Sequence, residues 1–323
     1  MPSQSDLLDA LNSFDAGTRR AALRALLDSA PPAAVESDWM NMHMHTFFSY
    51  NGEGWSPARL AWEARQQGLM GIGICDFDVL TGLDEFLWAT DLLQQRAAVG
   101  FESRTFFEEY ADVEINSPGE PGVFYFMGMG FVGQPAPESQ SERVLTDMLD
   151  QSHTRNRALI ERINAALDGL ALDYEQDVLP LTPAGNATER HIVRSYFDKA
   201  LEIADTPDEA ARWWAANLGM DCGDLAAKIH DANAFVDMLR AKMMKKGGLG
   251  YVQPGRKTFP LLDEVIQMIL ECRAIPTSTW LDGTSDGEAD PVSQLECLMA
   301  KGVAAVNIIP DRNWNISATV QPT

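Results

Sequence analysis

The chain has 323 residues, 46% of them apolar and 22% charged, and 47 acidic against 25 basic side chains give a formal net charge of −22. A chain of this length buries a large core, as two domains or as one α/β barrel, and its negative field argues against coating a polymeric nucleic acid while leaving room for a small phosphorylated ligand. No stretch reaches the ~18 apolar residues of a membrane span, no signal pattern opens the chain, and Cys75, Cys222, Cys272 and Cys297 form no Cys-x-x-Cys pair, so a cytoplasmic protein without a disulfide frame is expected.

Residues 3–30 predict two short amphipathic helices. Ser5 is the expected N-cap of the first, ahead of Leu7, Leu8 and Leu11, and the second carries Ala22, Leu23, Leu26 and Leu27 on one face. Pro31 and Pro32 end this helical arm, taken as residues 1–37. Short apolar runs then alternate with helices. Trp39 to His45 reads as a strand. Ser56 caps a helix that Pro57 opens and that runs to Gly68. Leu69 to Cys75 is a buried strand ending at Asp76, Leu83 to Gln95 a helix, Ala97 to Phe101 a strand ending at Glu102, and Val123 to Met129 a fourth strand. The βαβ rhythm predicts a parallel sheet or barrel, with its first part at residues 38–130.

Between 139 and 247 the strands stop. Ser139 and Glu142 have capping-box spacing at the head of a long helix with Val144, Leu145, Met148, Leu159, Ile163 and Leu167 as its apolar positions. Thr206-Pro207-Asp208-Glu209 starts another helix, and Asp224 opens one that runs to Lys246 and stops at Gly247-Gly248. This segment reads as an all-helical insert, with Trp213 and Trp214 packed between insert and barrel. Alternation resumes over 248–323, with a helix from Phe259 to Glu271, a strand from Ala274 to Trp280, a helix from Val292 to Lys301 and a strand from Val303 to Pro310 that ends at Asp311.

Residues i and i+2 of a strand share a face, so His43 and His45 project side by side and supply half of a site for a divalent transition metal. The plainer reading is two histidines bonded to backbone or water near a strand end. His43, His45, Asp76, Glu102 and Asp311 all close predicted strands, and in barrels of parallel strands that end carries the active site. Taken singly, Asp76 could start a turn or helix, Glu102 could be an exposed acid, and Asp311 could form a turn before Arg312 and Asn313. Taken together they point to a metal-binding rim.

These residues carry a family resemblance. His43-Met44-His45-Thr46 with Ser49 resembles the first motif of the PHP (polymerase and histidinol phosphatase) domain, Gly73-Ile74-Cys75-Asp76-Phe77-Asp78 its second, and Gly100-Phe101-Glu102 its Gly-x-Glu motif. Arg155-Asn156-Arg157 to Asn164 and Glu189-Arg190-His191-Ile192-Val193-Arg194 are similar to segments of the phosphoesterase branch, and Asp311-Arg312-Asn313 stands in the place of the final motif. The resemblance implies a distorted (β/α)7 barrel from about 38 to 130 and 248 to 323, interrupted by the helical insert, and metal-dependent phosphoester hydrolysis. Against that barrel the tail after Asp311 is short, as it would be in a truncated chain or in one completed by a partner subunit, which leaves the presence of the last helix open. One metal site of the family is matched by His43, His45, Glu102 and Asp311. The ligands of two further sites are replaced, by Tyr125 and Ser278 in one and by Phe77 and Asn313 in the other, and these are poor ligands for a zinc-like ion.

The resemblance thus implies one divalent ion, Zn2+, Mn2+ or Fe2+, that activates water against a small phosphorylated substrate. Asp76 is read as the general base or as an acceptor that orients a histidine. Arg104 and Arg256 are the candidate cations for a phosphate, and His191 has a place at the barrel mouth by resemblance. The competing function is a non-catalytic ligand-binding protein that keeps one structural metal.

Overall fold

The computed structural model describes residues 2–29 and 34–307; Pro31, Pro32, Asp311 and Asn313 lie outside the described residues. In chain order the helices and strands are α1 (Gln4–Ala10), α2 (Ala16–Ser29), β1 (Met40–Met44), α3 (Pro57–Gln66), β2 (Gly71–Phe77), α4 (Leu83–Leu92), β3 (Arg96–Phe106) and β4 (Val123–Met129). They continue as α5 (Gln140–Ala166), α6 (Glu189–Ile203), α7 (Pro207–Leu218), α8 (Cys222–Lys228), α9 (Ala232–Met244), α10 (Leu262–Glu271), β5 (Ile275–Thr279), α11 (Pro291–Ala300) and β6 (Ala305–Asn307). The chain divides into two compact units, one of Met1–Met148 with Pro254–Thr323 and one of Leu149–Gln253. No described helix is long and apolar enough to cross a membrane.

The first unit is a mixed α/β structure. Its six described strands lie in sequence order, β1-β2-β3-β4-β5-β6. The expectation of an all-parallel sheet is corrected at β4, which runs antiparallel to β3 and to β5, whereas β1, β2 and β3 are mutually parallel and β5 is parallel to β6. A parallel return needs a crossover element, and residues 107–122 contain only a single turn of 3-10 helix at Glu108–Tyr110. Asn116 in this connection extends the β4–β5 pairing. Its amide accepts from the Tyr125 N–H at 2.8 Å and donates to the Tyr125 and Thr279 carbonyls at 3.0 and 2.9 Å.

Alternation along the strands separates two faces. Ile72, Ile74, Val99, Phe101, Phe124 and Phe126 form one, fully buried with Ala58 and Ala61 of α3, Phe86 and Ala89 of α4, and Val265, Ile266 and Ile269 of α10. Each such Phe, Ile or Val contributes about 1.5–3 kcal/mol through the area it removes from water. The other face presents Gly73, Cys75 and Phe77 on β2, Gly100, Glu102 and Arg104 on β3, and Tyr125 and Met127 on β4.

The N-terminal arm differs from expectation in its cap. Ser3 starts α1 instead of Ser5, because Ser3 and Asp6 have the spacing for a reciprocal box: Asp6 N–H donates to Ser3 Oγ at 3.2 Å and Ser3 N–H to Asp6 Oδ2 at 2.8 Å. Arg19 of α2 is 3% exposed and forms an ion pair with Glu85 of α4, while its Nη1 donates to the Ser13 carbonyl at 2.7 Å.

The second unit holds the rest of α5 and all of α6 to α9. Ser139 does cap α5, accepting from Glu142 N–H at 3.1 Å, although the Glu142 carboxylate takes the Glu138 N–H in place of Ser139's own. The single helix expected from Asp224 to Lys246 is two helices. Asp221 caps α8, and Asp231 accepts from Ala234 N–H at 3.1 Å to start α9. Trp214 is buried in this unit's own core with Trp213 against it. Asn156 donates to the Ala187 carbonyl at 2.7 Å, and Asn164 both donates to and accepts from Leu172, so both asparagines of the family-like segment pin loops to α5.

Candidate functional site

β1 pairs with β2 through a bulge. Asn41 sits against Ile72 and Met44 against Ile74, so β1 spends one more residue than β2 over this span. Bulges bend a strand and re-aim its side chains. Gly73 makes this one possible: a Cβ there would stand 2.7 Å from the Met42 carbonyl oxygen. His43 and His45 leave the bulge with their rings 5.3 Å apart and tilted by 55°.

Glu102 is not at a strand end, as expected, but within β3, which continues to Phe106 because β4 pairs with it that far. The ladder nevertheless sets Glu102 beside Phe77, the last residue of β2, and so beside the two histidines. Its Oε2 lies 3.1 Å from His43 Nε2 and 3.5 Å from His45 Nε2. The three ligand atoms all fall within 4.8 Å of one another. With metal–ligand bonds of about 2.0–2.2 Å, the edge of a tetrahedral site is about 3.4 Å, which the two shorter separations match. His43, His45 and Glu102 could therefore hold a metal ion. Asp311, expected as a fourth ligand, lies outside the described residues. Burial pulls the His43 pKa down, but its hydrogen bond to Glu102 and that carboxylate's charge outweigh the burial and leave the pKa raised.

Asp76 is 2% exposed and stands outside this ligand group. One oxygen accepts from Thr46 N–H and Ser49 Oγ–H, both at 2.7 Å, and the other from Thr46 Oγ1–H at 2.7 Å. Burial raises its pKa, and those hydrogen bonds pull the other way without cancelling it. Ser49 Oγ also lies 3.2 Å from His45 Nδ1. Phe77 stacks on the His45 ring, at 5.0 Å between centroids and 9° between planes, and meets Tyr125 edge-on at 6.2 Å.

Ser278 pairs with Phe126 on the core-facing side of the sheet. Thr279, and not Ser278, shares the alternation of Tyr125 and Glu102. The Ser278 and Thr279 hydroxyls are both buried, with no hydrogen-bond partner among the described residues.

Arg104, two residues beyond Glu102 on the same face, lies over the Phe259 ring at 4.4 Å, with Nη1 3.9 Å from Glu120. Arg256 is exposed, and its Nε donates to Glu108 at 2.6 Å. His191 belongs to the second unit, where it is 4% exposed and its Nδ1 accepts from Thr188 N–H at 3.1 Å at the start of α6. Sequence reasoning placed Ser49 in the first motif and Phe77 at a replaced ligand position, and missed that both meet the His45 ring. The available signal was a hydroxyl four residues after a candidate ligand histidine, facing an aspartate at a strand end.

No family model matches the chain, and no curated protein matches it. Among solved structures it is similar to a proposed metal-dependent phosphoesterase from Bifidobacterium adolescentis, with a TM-score of 0.53 and 18% identity over 88% of this chain and 83% of that one. It is also similar to an amidohydrolase from Chromobacterium violaceum, solved with bound sulfate and no metal, with a TM-score of 0.54 and 15% identity over 85% of this chain and 80% of that one. At these identities the likeness is one of fold: the chain shares the fold of these two proteins.

Proposed function

We propose that this chain is a metal-dependent hydrolase, a phosphoesterase of PHP type acting on a small phosphorylated metabolite or nucleotide. One divalent ion, Zn2+, Mn2+ or Fe2+, would be held by His43, His45 and Glu102, with Asp311 as the fourth ligand. The observation that carries the proposal is the convergence of two imidazole Nε2 atoms on one buried carboxylate oxygen. The fold shared with a proposed metal-dependent phosphoesterase supports it, as do the sequential strands, which accord with a distorted (β/α)7 barrel.

When bound, the ion would supply Lewis acidity, lowering the pKa of a coordinated water and polarising the oxygen to be attacked. Glu102 offers the negative charge that draws the cation in, and the bulged β1 sets the two imidazoles toward it. Arg104, on the same face, is suited to hold an anionic substrate group. The three donors around Asp76 support its role as an orienting acceptor over its role as general base.

A panel of phosphomonoesters and phosphodiesters assayed with Mn2+, Zn2+ or Fe2+ tests this reading. Turnover that falls to background in Glu102→Gln is expected. The competing reading, a ligand-binding protein with a structural ion, draws on the aromatic Phe77 and Tyr125 beside the triad. It would stand if no substrate turned over and a phosphorylated ligand still shifted the melting temperature in a metal-dependent way.

A further inference from the structure

We propose that Ser49 is a positioning residue: its hydroxyl, anchored on Asp76, locks the His45 imidazole in the tautomer that turns an Nε2 lone pair toward Glu102 and the cation. This rests on the metal reading above and deepens it.

A serine hydroxyl has one proton and two lone pairs. Ser49 Oγ lies 2.7 Å from an Asp76 oxygen, and a carboxylate only accepts, so the hydroxyl proton goes to Asp76. The Ser49 oxygen can then only accept from His45 Nδ1, 3.2 Å away, which places the imidazole proton on Nδ1. Nε2 is left with a lone pair 3.5 Å from the Glu102 oxygen. Two electron-rich atoms facing each other at that distance repel unless a cation sits between them. The hydrogen-bond chain thus prepares a cation site instead of a self-contained ion pair.

The surroundings hold this chain in place. Ser49 and Asp76 are each 2% exposed, so bulk water does not compete for either. Asp76 cannot turn away, because the Thr46 N–H and hydroxyl fix both of its oxygens. Thr46 also closes the turn that carries Ser49, its carbonyl accepting from Ser49 N–H at 3.1 Å. Phe77, stacked on the imidazole, blocks rotation of the ring out of the plane in which Nδ1 meets Ser49. Histidine ligands to metals commonly have the second nitrogen held in this manner, and loss of the holding group typically costs 10- to 100-fold in affinity.

The test uses the full chain. Nitrogen-detected NMR of the metal-free wild type at pH 8.5 should show the His45 proton on Nδ1. Zn2+ titration by calorimetry should show affinity about 10- to 100-fold weaker in Ser49→Ala. Ser49→Thr, which keeps the hydroxyl, should restore most of it, and metal-free Ser49→Ala should show a mixed His45 tautomer. A His45 proton on Nε2 in the wild type would overturn the proposal without any variant, as would Zn2+ affinity and tautomer unchanged in Ser49→Ala. A wild type that binds no ion but keeps the Nδ1 proton would defeat the metal reading and leave the role of Ser49 in fixing the tautomer intact.

Discussion

His191 shows how one buried imidazole couples stability to pH. Burial lowers its pKa to about 4, and its Nδ1 must stay unprotonated to accept the Thr188 N–H. In the unfolded chain the same group titrates near 6.5, so between about 6.5 and 4 the unfolded state binds the extra proton. The stability it contributes is fully present above about pH 6.5 and is lost as pH falls toward 4, by on the order of 3 kcal/mol in all. Thermal melts between pH 7 and 4.5 should show this loss, with a flatter profile in His191→Gln. A wild-type profile no steeper than that of the variant would refute it. The candidate group His43, His45 and Glu102 was more legible in the sequence than this role. Two histidines at strand period and an acid following an apolar run are identified by chemical type and spacing, whereas the depth at which His191 is buried depends on α6 and what packs around it.

At the scale of elements, the ion pair between α2 and α4 is the most exacting contact. Arg19 and Glu85 are 3% and 7% exposed, and Glu85 also accepts from Ala58 N–H at 3.3 Å at the start of α3. Arg19 lies over Phe47 as well, at 5.2 Å from the ring centroid, so it ties the N-terminal arm to the loop that carries Ser49. Removing one partner of a buried pair leaves an uncompensated charge, so Arg19→Met should cost about 3–5 kcal/mol in chemical denaturation. Arg19→Met with Glu85→Gln should recover a large part of that. Equal loss in the single and double variants would mean the pair is not the source of the effect. In the sequence Arg19 is only a charge interrupting an apolar stripe. Strand positions were well marked, since β2 and β4 show apolar runs beside glycine and β1 alternates methionine with polar residues. The direction of β4 was not marked, because periodicity reports which residues are buried and is silent on which way a neighbouring strand runs. The break between α8 and α9 turned on one aspartate cap within a continuous apolar pattern.

At the scale of the whole molecule, alternating strands and helices gave the α/β class, and the strand-free stretch marked a helical segment. The bulge in β1 and the placement of Glu102 inside β3 are properties of pairing, visible only once the strands are set side by side. The central claim is that this chain keeps one metal site built on His43, His45 and Glu102. Metal analysis of the purified protein, after loading with Mn2+, Zn2+ or Fe2+ and removal of the excess, tests it most directly. About one ion per chain is expected in the wild type and none in His43→Ala with His45→Ala. No bound ion in the wild type, two or more held there, or an ion that survives in the double variant would contradict the account.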